Sequence, residues 1–282
     1  MTVSAARVME LRASTGAGMM DCKRALEETG GDLATASDFL RKKGIVVAAK
    51  KSDRETREGG IAIAFSPDHR SAALVHLACE TDFVARNDRF QELLETLSAQ
   101  VLENGEADLL EQKIGSGTVG DLITHAISTL GENLRLVQAA RVTLAEPGLV
   151  GGYVHSNRRI GALVVLQSGS ADGKDALMAL GKDLAMHVAA SQVSAVRTEE
   201  IDPELIAKEK EIYLAQAKEA GKPDHIVEKM VEGRLNKFKK ELSLLAQPFV
   251  KDPQKTVEAV VGEAAQALGS DISVDRFVKF QF

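Results

Sequence analysis

The sequence predicts an α+β fold. It has a three-helix bundle at the N-terminus, a core of two related hairpin-plus-helix subdomains, and an antiparallel coiled-coil hairpin inserted in the second. Three observations lead there. One unit occurs twice, with Ala73, Leu74, Val75 and Leu77 matching Ala162, Leu163, Val164 and Leu166 at a constant offset of 89. The first 43 residues carry three short apolar helical patterns separated by glycines. Two long Lys/Glu-rich stretches near the C-terminal side show only a narrow apolar seam.

Residues 1–44 form the first module. Ser4 caps a helix through Val8 and Leu11, and Thr15-Gly16-Ala17-Gly18 breaks it. A second helix, about Met19–Glu28, places Met19, Cys22 and Leu26 on one side and ends at Gly30-Gly31. Asp32 caps a third through Leu33, Ala36, Phe39 and Leu40, with Gly44 as its stop. So short a chain buries little, which makes docking on the rest of the molecule expected. Residues 45–58 are polar and mixed in charge and read as a linker. Their interleaved acids and missing aromatics argue against a nucleic-acid patch.

The first core subdomain covers 59–146. Gly59–Phe65 and Ala72–Leu77 make a hairpin around Ser66-Pro67-Asp68-His69, and Phe90, Leu93, Leu97 and Val101 mark the helix over it. A helix over Val119–Leu130 and a strand over Leu136–Leu144 follow. The second subdomain covers 147–198 and 243–282. Its hairpin opens Gly151-Gly152-Tyr153, turns at Asn157-Arg158-Arg159, and leads to a helix with Leu177, Leu180, Leu184 and Val188. The insertion, 199–242, holds helices over about Asp202–Ala220 and Asp224–Leu245, broken by Gly221-Lys222-Pro223. Leu205, Ile212 and Tyr213 face inward on the first, and Val227, Met230, Leu235, Phe238 and Leu242 on the second. A helix over Thr256–Leu268 precedes a last strand with Ile272, Val274, Val278, Phe280 and Phe282 on one side and Arg276 as the exception.

Composition sets limits on function. The 282 residues carry 35 Lys+Arg against 41 Asp+Glu, a net charge of −6, which disfavours direct nucleic-acid binding. No apolar stretch approaches the ~20 residues of a membrane helix, and the N-terminus has no signal core. A cytoplasmic location is expected. Cys22 and Cys79 stand apart, without zinc-ligand spacing, and fit two reduced thiols.

No catalytic constellation emerges, so the chain is read as no enzyme and as needing no cofactor or metal. Gly115-Ser116-Gly117-Thr118-Val119-Gly120 matches G-x-G-x-x-G, but lacks the preceding strand and the correctly spaced acid of a dinucleotide site. It reads as a loop entering the Val119 helix. His187 lies beside an apolar stripe, where a satisfied core histidine is the default and a partner contact the sharper alternative; His155 lies at a hairpin end. The two repeats differ most between hairpin and helix. Only the first copy carries Thr81-Asp82-Phe83-Val84 there, two residues longer than its counterpart. Either Thr81 or Asp82 caps the helix while Phe83 tucks into the core, or Phe83 is a wedge presented to another protein.

Several strings resemble the elongation factor Ts family. They are Thr15-Gly16-Ala17-Gly18-Met19-Met20-Asp21-Cys22-Lys23, Thr81-Asp82-Phe83-Val84-Ala85, Ala185-Met186-His187-Val188-Ala189-Ala190, Glu228-Lys229-Met230-Val231-Glu232-Gly233-Arg234 and Gln247-Pro248-Phe249-Val250. The resemblance implies a nucleotide-exchange factor for elongation factor Tu, which it meets GDP-bound and nucleotide-free. It implies an N-terminal bundle similar to ubiquitin-associated domains, with Met19, Met20 and Lys23 as contacts. Asp82 and Phe83, flanked by Thr81 and Val84, would intrude beside the partner's Mg²⁺ and phosphates; His155, and more weakly His187, would meet it through the core. A helical adaptor that binds the GTPase without exchange is the alternative. Dimerisation through core or coiled coil stays open. Family members often continue past the last strand into a helical segment; this sequence stops at Phe282, inside an alternating strand, natively or by truncation, and contacts from such a segment are not assigned.

Overall fold

A computed structural model describes residues 3–145, 147–170, 173–219 and 224–282. The expected break at Gly221-Lys222-Pro223 lies outside them, as do Ala171 and Asp172 of the second hairpin-to-helix connection.

The chain starts with α1 (Ala5–Thr15), α2 (Met19–Glu28) and α3 (Leu33–Ala49). Ser4 and Asp32 cap α1 and α3 by accepting from the Arg7 and Thr35 amides at 3.4 and 2.7 Å. Val8, Leu11, Cys22, Ala25, Leu26 and Ala36 form their common core. Gly44 does not stop α3, which runs five residues further to Ala49. A mid-helix glycine costs about 1 kcal/mol. Packing offsets it here, because Gly44 is buried against Ser128 and Ala48 joins the core of the next unit. The expected linker therefore starts as helix, and its remainder is held by Asn133, whose Nδ2 donates to the Ser52 and Arg54 carbonyls at 3.2 and 2.9 Å.

The first unit then runs β1 (Glu58–Phe65), β2 (Ser71–Cys79), α4 (Asp82–Ala85), α5 (Asp88–Asn104), β3 (Lys113–Ile114), β4 (Gly117–Thr118), α6 (Val119–Leu130) and β5 (Leu134–Thr143). The second runs β6 (Gly148–Val154), β7 (Ile160–Ser168), α7 (Lys174–Ala190), α8 (Pro203–Glu219), α9 (Asp224–Leu242), β8 (Pro248–Phe249), β9 (Asp252–Thr256), α10 (Val257–Leu268) and β10 (Ile272–Gln281). Each builds an antiparallel three-stranded sheet, in the orders β1-β2-β5 and β10-β7-β6.

The sheets pack face to face between helices. On β2, Ala73, Val75, Leu77 and Cys79 face α5 and α6, while Ala72 and Leu74 face the other sheet. On β7, Ala162, Val164 and Leu166 face α7 and α10, while Leu163 and Val165 face inward. Burial on both faces explains why both strands read as unbroken apolar runs. The stripes Phe90, Leu93, Leu97, Val101 and Leu177, Leu180, Leu184, Val188 are all buried, as expected.

The duplication extends beyond the hairpins. Gly59 pairs with Ala78 and Gly148 with Gln167, at the same offset of 89, and both glycines have φ near +147° (146° and 147°). The second copy thus opens at Gly148, three residues before the expected Gly151. A two-residue hairpin and a helix follow in each copy. Thr118 and Thr256 cap α6 and α10, and Gly131 and Gly269 end them in the left-handed conformation. Each helix then returns as the third strand.

Two inward-face expectations change. In the insertion the seam pairs Tyr213, Leu214 and Ala217 with Val227, Val231 and Leu235, and leaves Leu205 and Ile212 exposed. Buried Ala217 is small enough for close helix approach, and the seam centres on it. In β10 a bulge at Asp275 shifts the register, with Val274 opposite Leu166 but Arg276 opposite Val165. The extra residue flips the remainder of the strand. Ile272, Val274 and Phe277 therefore face the α7 side, and Val278, Phe280 and Phe282 face the other sheet.

Two histidines lie inside. His76 is 4% exposed and tilted against the Phe282 ring at 4.0 Å, and neither of its ring nitrogens has a hydrogen-bond partner among the described residues. Burial, and then the Arg135 charge, pull its pKa down to about 4. His187 is 1% exposed and fully bonded. Its Nδ1 accepts from the Val250 amide at 3.1 Å, which leaves Nε2–H to donate to Gln247 Oε1 at 2.9 Å. Burial lowers its pKa too, and it is a core tie rather than the surface contact that the resemblance implied.

Two outcomes follow from the packing. A Cβ at Gly151 would lie 2.2 Å from the Gly181 carbonyl carbon, backbone against backbone, where β6 meets α7. Gly151→Ala should cost about 3 kcal/mol or more in urea unfolding; a change under 1 kcal/mol would contradict this contact. His76 is neutral in the fold but protonates near pH 6.5 once unfolded, so its stabilisation is complete above that pH and lost as pH falls toward 4. It should account for about 2 kcal/mol of stability lost between pH 7 and 5. His76→Leu should flatten that part of the profile, and an unchanged slope would refute the assignment.

Candidate functional site

The distinctive surface lies where β2 passes into α5. Thr81 caps α4, its Oγ accepting from the Val84 amide at 3.4 Å. Ala85 is buried, and Val84 packs on the core beneath α5. Gln91 Nε2 donates to the Ala85 carbonyl, and Cys79 Sγ–H donates to the Thr81 carbonyl at 3.1 Å. That thiol is inert, its pKa pushed up to about 12 by burial and by the nearby Glu132 charge. The backbone is thus fixed on both sides of Phe83, yet the Phe83 side chain is 83% exposed. The capping expectation for Thr81 holds, and the tucked position for Phe83 does not.

Asp82 is half-exposed and sits 3.1 Å from Arg86, one helical turn on. An exposed pair of this kind is worth only about 0–1 kcal/mol, so another partner can replace Arg86 at little cost. Asp82 and Phe83 together offer an acid and a large apolar ring on one rigid turn.

Sequence reasoning missed the residue that holds this turn. Glu132, just after α6, takes the Glu80 and Thr81 amides on Oε2 at 3.1 and 3.0 Å and the Thr81 hydroxyl on Oε1 at 2.6 Å. Glu80 returns the contact by accepting from the Asn133 amide at 2.6 Å. The pairing spans some fifty residues, so no local pattern could have signalled it.

Met19, Met20 and Lys23 lie on α2 and are all exposed; Lys23 is 3.8 Å from Glu27. Their module is seated at the same end of α5 as α4, since Arg89, in the first turn of α5, donates to the Gly16 carbonyl at 3.2 Å. His155 is exposed on the β6–β7 turn, with Nδ1 2.9 Å from the Tyr153 hydroxyl. Arg158 of that turn lies 3.7 Å from Glu95 of α5. The N-terminal module and the β6–β7 turn thus each contact α5, through Gly16 and Arg158, whereas His187 stays inside. Gly115–Gly120 forms the β3–β4 turn and the Thr118–Asp121 capping box of α6; contrary to expectation a strand does precede it, but β3 is two residues long and pairs with β4 in a small separate hairpin.

The described residues hold no cluster of three or more groups suited to a metal ion, and no helix long and apolar enough to cross a membrane. What the site offers is a shaped protein surface.

A family model described as Elongation factor TS matches residues 80–282. Among curated proteins, the chain is 43% identical over 282 residues to elongation factor Ts of Desulfovibrio desulfuricans, covering 99% of this chain and 98% of that one. It is 47% identical to elongation factor Ts of Maricaulis maris, over 98% and 91% of the two chains. With elongation factor Ts of Rhizobium meliloti the identity is 46%, over 97% and 91%.

Proposed function

The chain belongs to the elongation factor Ts family, and we propose that it binds elongation factor Tu and speeds GDP release by pushing Asp82 and Phe83 into the nucleotide site. The observation that carries this reading is a phenylalanine left almost fully in water on a turn whose backbone is bonded on both sides. A free aromatic on a fixed loop loses little entropy on docking and brings the apolar area of an interface hot spot.

A GTPase holds GDP through backbone amides, a lysine and Mg²⁺ around the phosphates. Releasing it requires no bond to be made or broken. The factor has to bind the empty GTPase more tightly than the GDP-loaded one, and linkage then makes GDP weaken the factor's grip by the same ratio. Phe83 wedges between helices of the partner, and Asp82, leaving Arg86, disturbs the polar shell around Mg²⁺. Met19, Met20 and Lys23 grip the partner's nucleotide domain, and His155 meets it from the core. Their binding energy offsets the distortion.

Phe83→Ala should slow release of a fluorescent GDP analogue from elongation factor Tu by about 10–100-fold, the rate equivalent of a hot-spot side chain worth about 1.4–2.8 kcal/mol. An unchanged rate from a folded variant rejects the wedge. A wild-type chain that binds the GTPase without accelerating release is an adaptor, not an exchange factor.

A further inference from the structure

We propose that Glu132 is the positioning residue of the exchange loop, holding Thr81 so that Asp82 and Phe83 are presented rather than collapsed. This rests on the exchange reading above and assigns a role to a residue that does not itself face the partner.

The carboxylate is half-buried, and both of its oxygens are engaged by the loop, through two amides and one hydroxyl. Hydrogen bonds to an ionised acceptor are about twice as strong as neutral ones. The Thr81 hydroxyl that donates to Glu132 also accepts from the Val84 amide, so one side chain ties the start of α4 to the end of α6. Glu132 itself cannot drift. Gly131 before it is the left-handed cap of α6, and the Asn133 amide after it is bonded to Glu80.

The second copy separates this role from plain fold stability. There α10 ends at Gly269 in the same left-handed cap, and Ser270 takes the place of Glu132. Ser270 meets the end of β7 through its hydroxyl, 3.2 Å from Ser168 Oγ, and the Gly169 amide donates to the Asp271 carbonyl at 2.9 Å. Among the described residues of this junction, a serine hydroxyl stands where the first copy has the carboxylate. The copy with the glutamate is the copy whose loop carries an exposed phenylalanine.

The test uses the full chain and release of fluorescent GDP from elongation factor Tu across a range of factor concentrations. E132Q keeps the size of the side chain but loses the charge and one acceptor. Its maximal rate should fall about tenfold while the half-saturating concentration moves less than about threefold, because the gripping surfaces are untouched. In a Phe83→Ala background, E132Q should have less than about a twofold further effect, since the two act through one loop. Thr81→Val should imitate E132Q, and Thr81→Ser should restore the rate; these variants decide the question if E132Q fails to fold. A normal maximal rate in E132Q, or a loss that multiplies in full with Phe83→Ala, overturns the inference while leaving the exchange reading intact. A wild-type chain without exchange activity overturns both.

Discussion

Ile61 and Leu74 of one sheet meet Val150, Leu163 and Val165 of the other in a layer that keeps water from both central strands. Neither sheet has another way to cover its inner face, and the outer faces are already taken by α5, α6, α7 and α10. The helix-to-strand and strand-to-helix connections emerge at the rims of this sandwich. At the rim a side chain can turn either inward, as Val84 does, or out to solvent, as Phe83 does.

Duplication supplies the scaffold, and one connection diverges between the two copies. Both copies use a hairpin, a helix, a two-residue hairpin, a second helix and a returning strand. In the first, the connection after β2 is wound into α4 and pinned by Glu132. In the second, the corresponding stretch is shorter, and the long insertion of α8 and α9 follows α7. That insertion has its own small core around Ala217, Val227 and Val231. In the proposed exchange role, preorganisation of the first loop lowers the entropy lost when its exposed ring docks.

Much of this was legible in the sequence because it was local or periodic. The offset of 89 between hairpins follows from repetition, and the caps Ser4 and Asp32 and the helical stripes follow from short-range rules. The rest depended on tertiary packing. Gly44 looks like a stop until Ser128 covers it. The bulge at Asp275 hides in a clean alternation, and only the pairing with β7 reveals that the faces exchange. The likeness of α6 to α10 was masked because the coiled coil moves the second helix out of the first register. His187 fitted the bland reading, a satisfied core histidine, better than the contact that resemblance implied. The position of Phe83 was undecided on sequence alone, because capping by Thr81 is compatible with a ring turned either way.

The account rests on preference for a partner stripped of its nucleotide. The most direct measurement is the dissociation constant of the full chain for elongation factor Tu, titrated once nucleotide-free and once at saturating GDP. The account predicts binding at least about tenfold tighter to the empty form, since only a difference of that kind can expel the nucleotide. Equal affinity, or tighter binding to the GDP-loaded form, would contradict it.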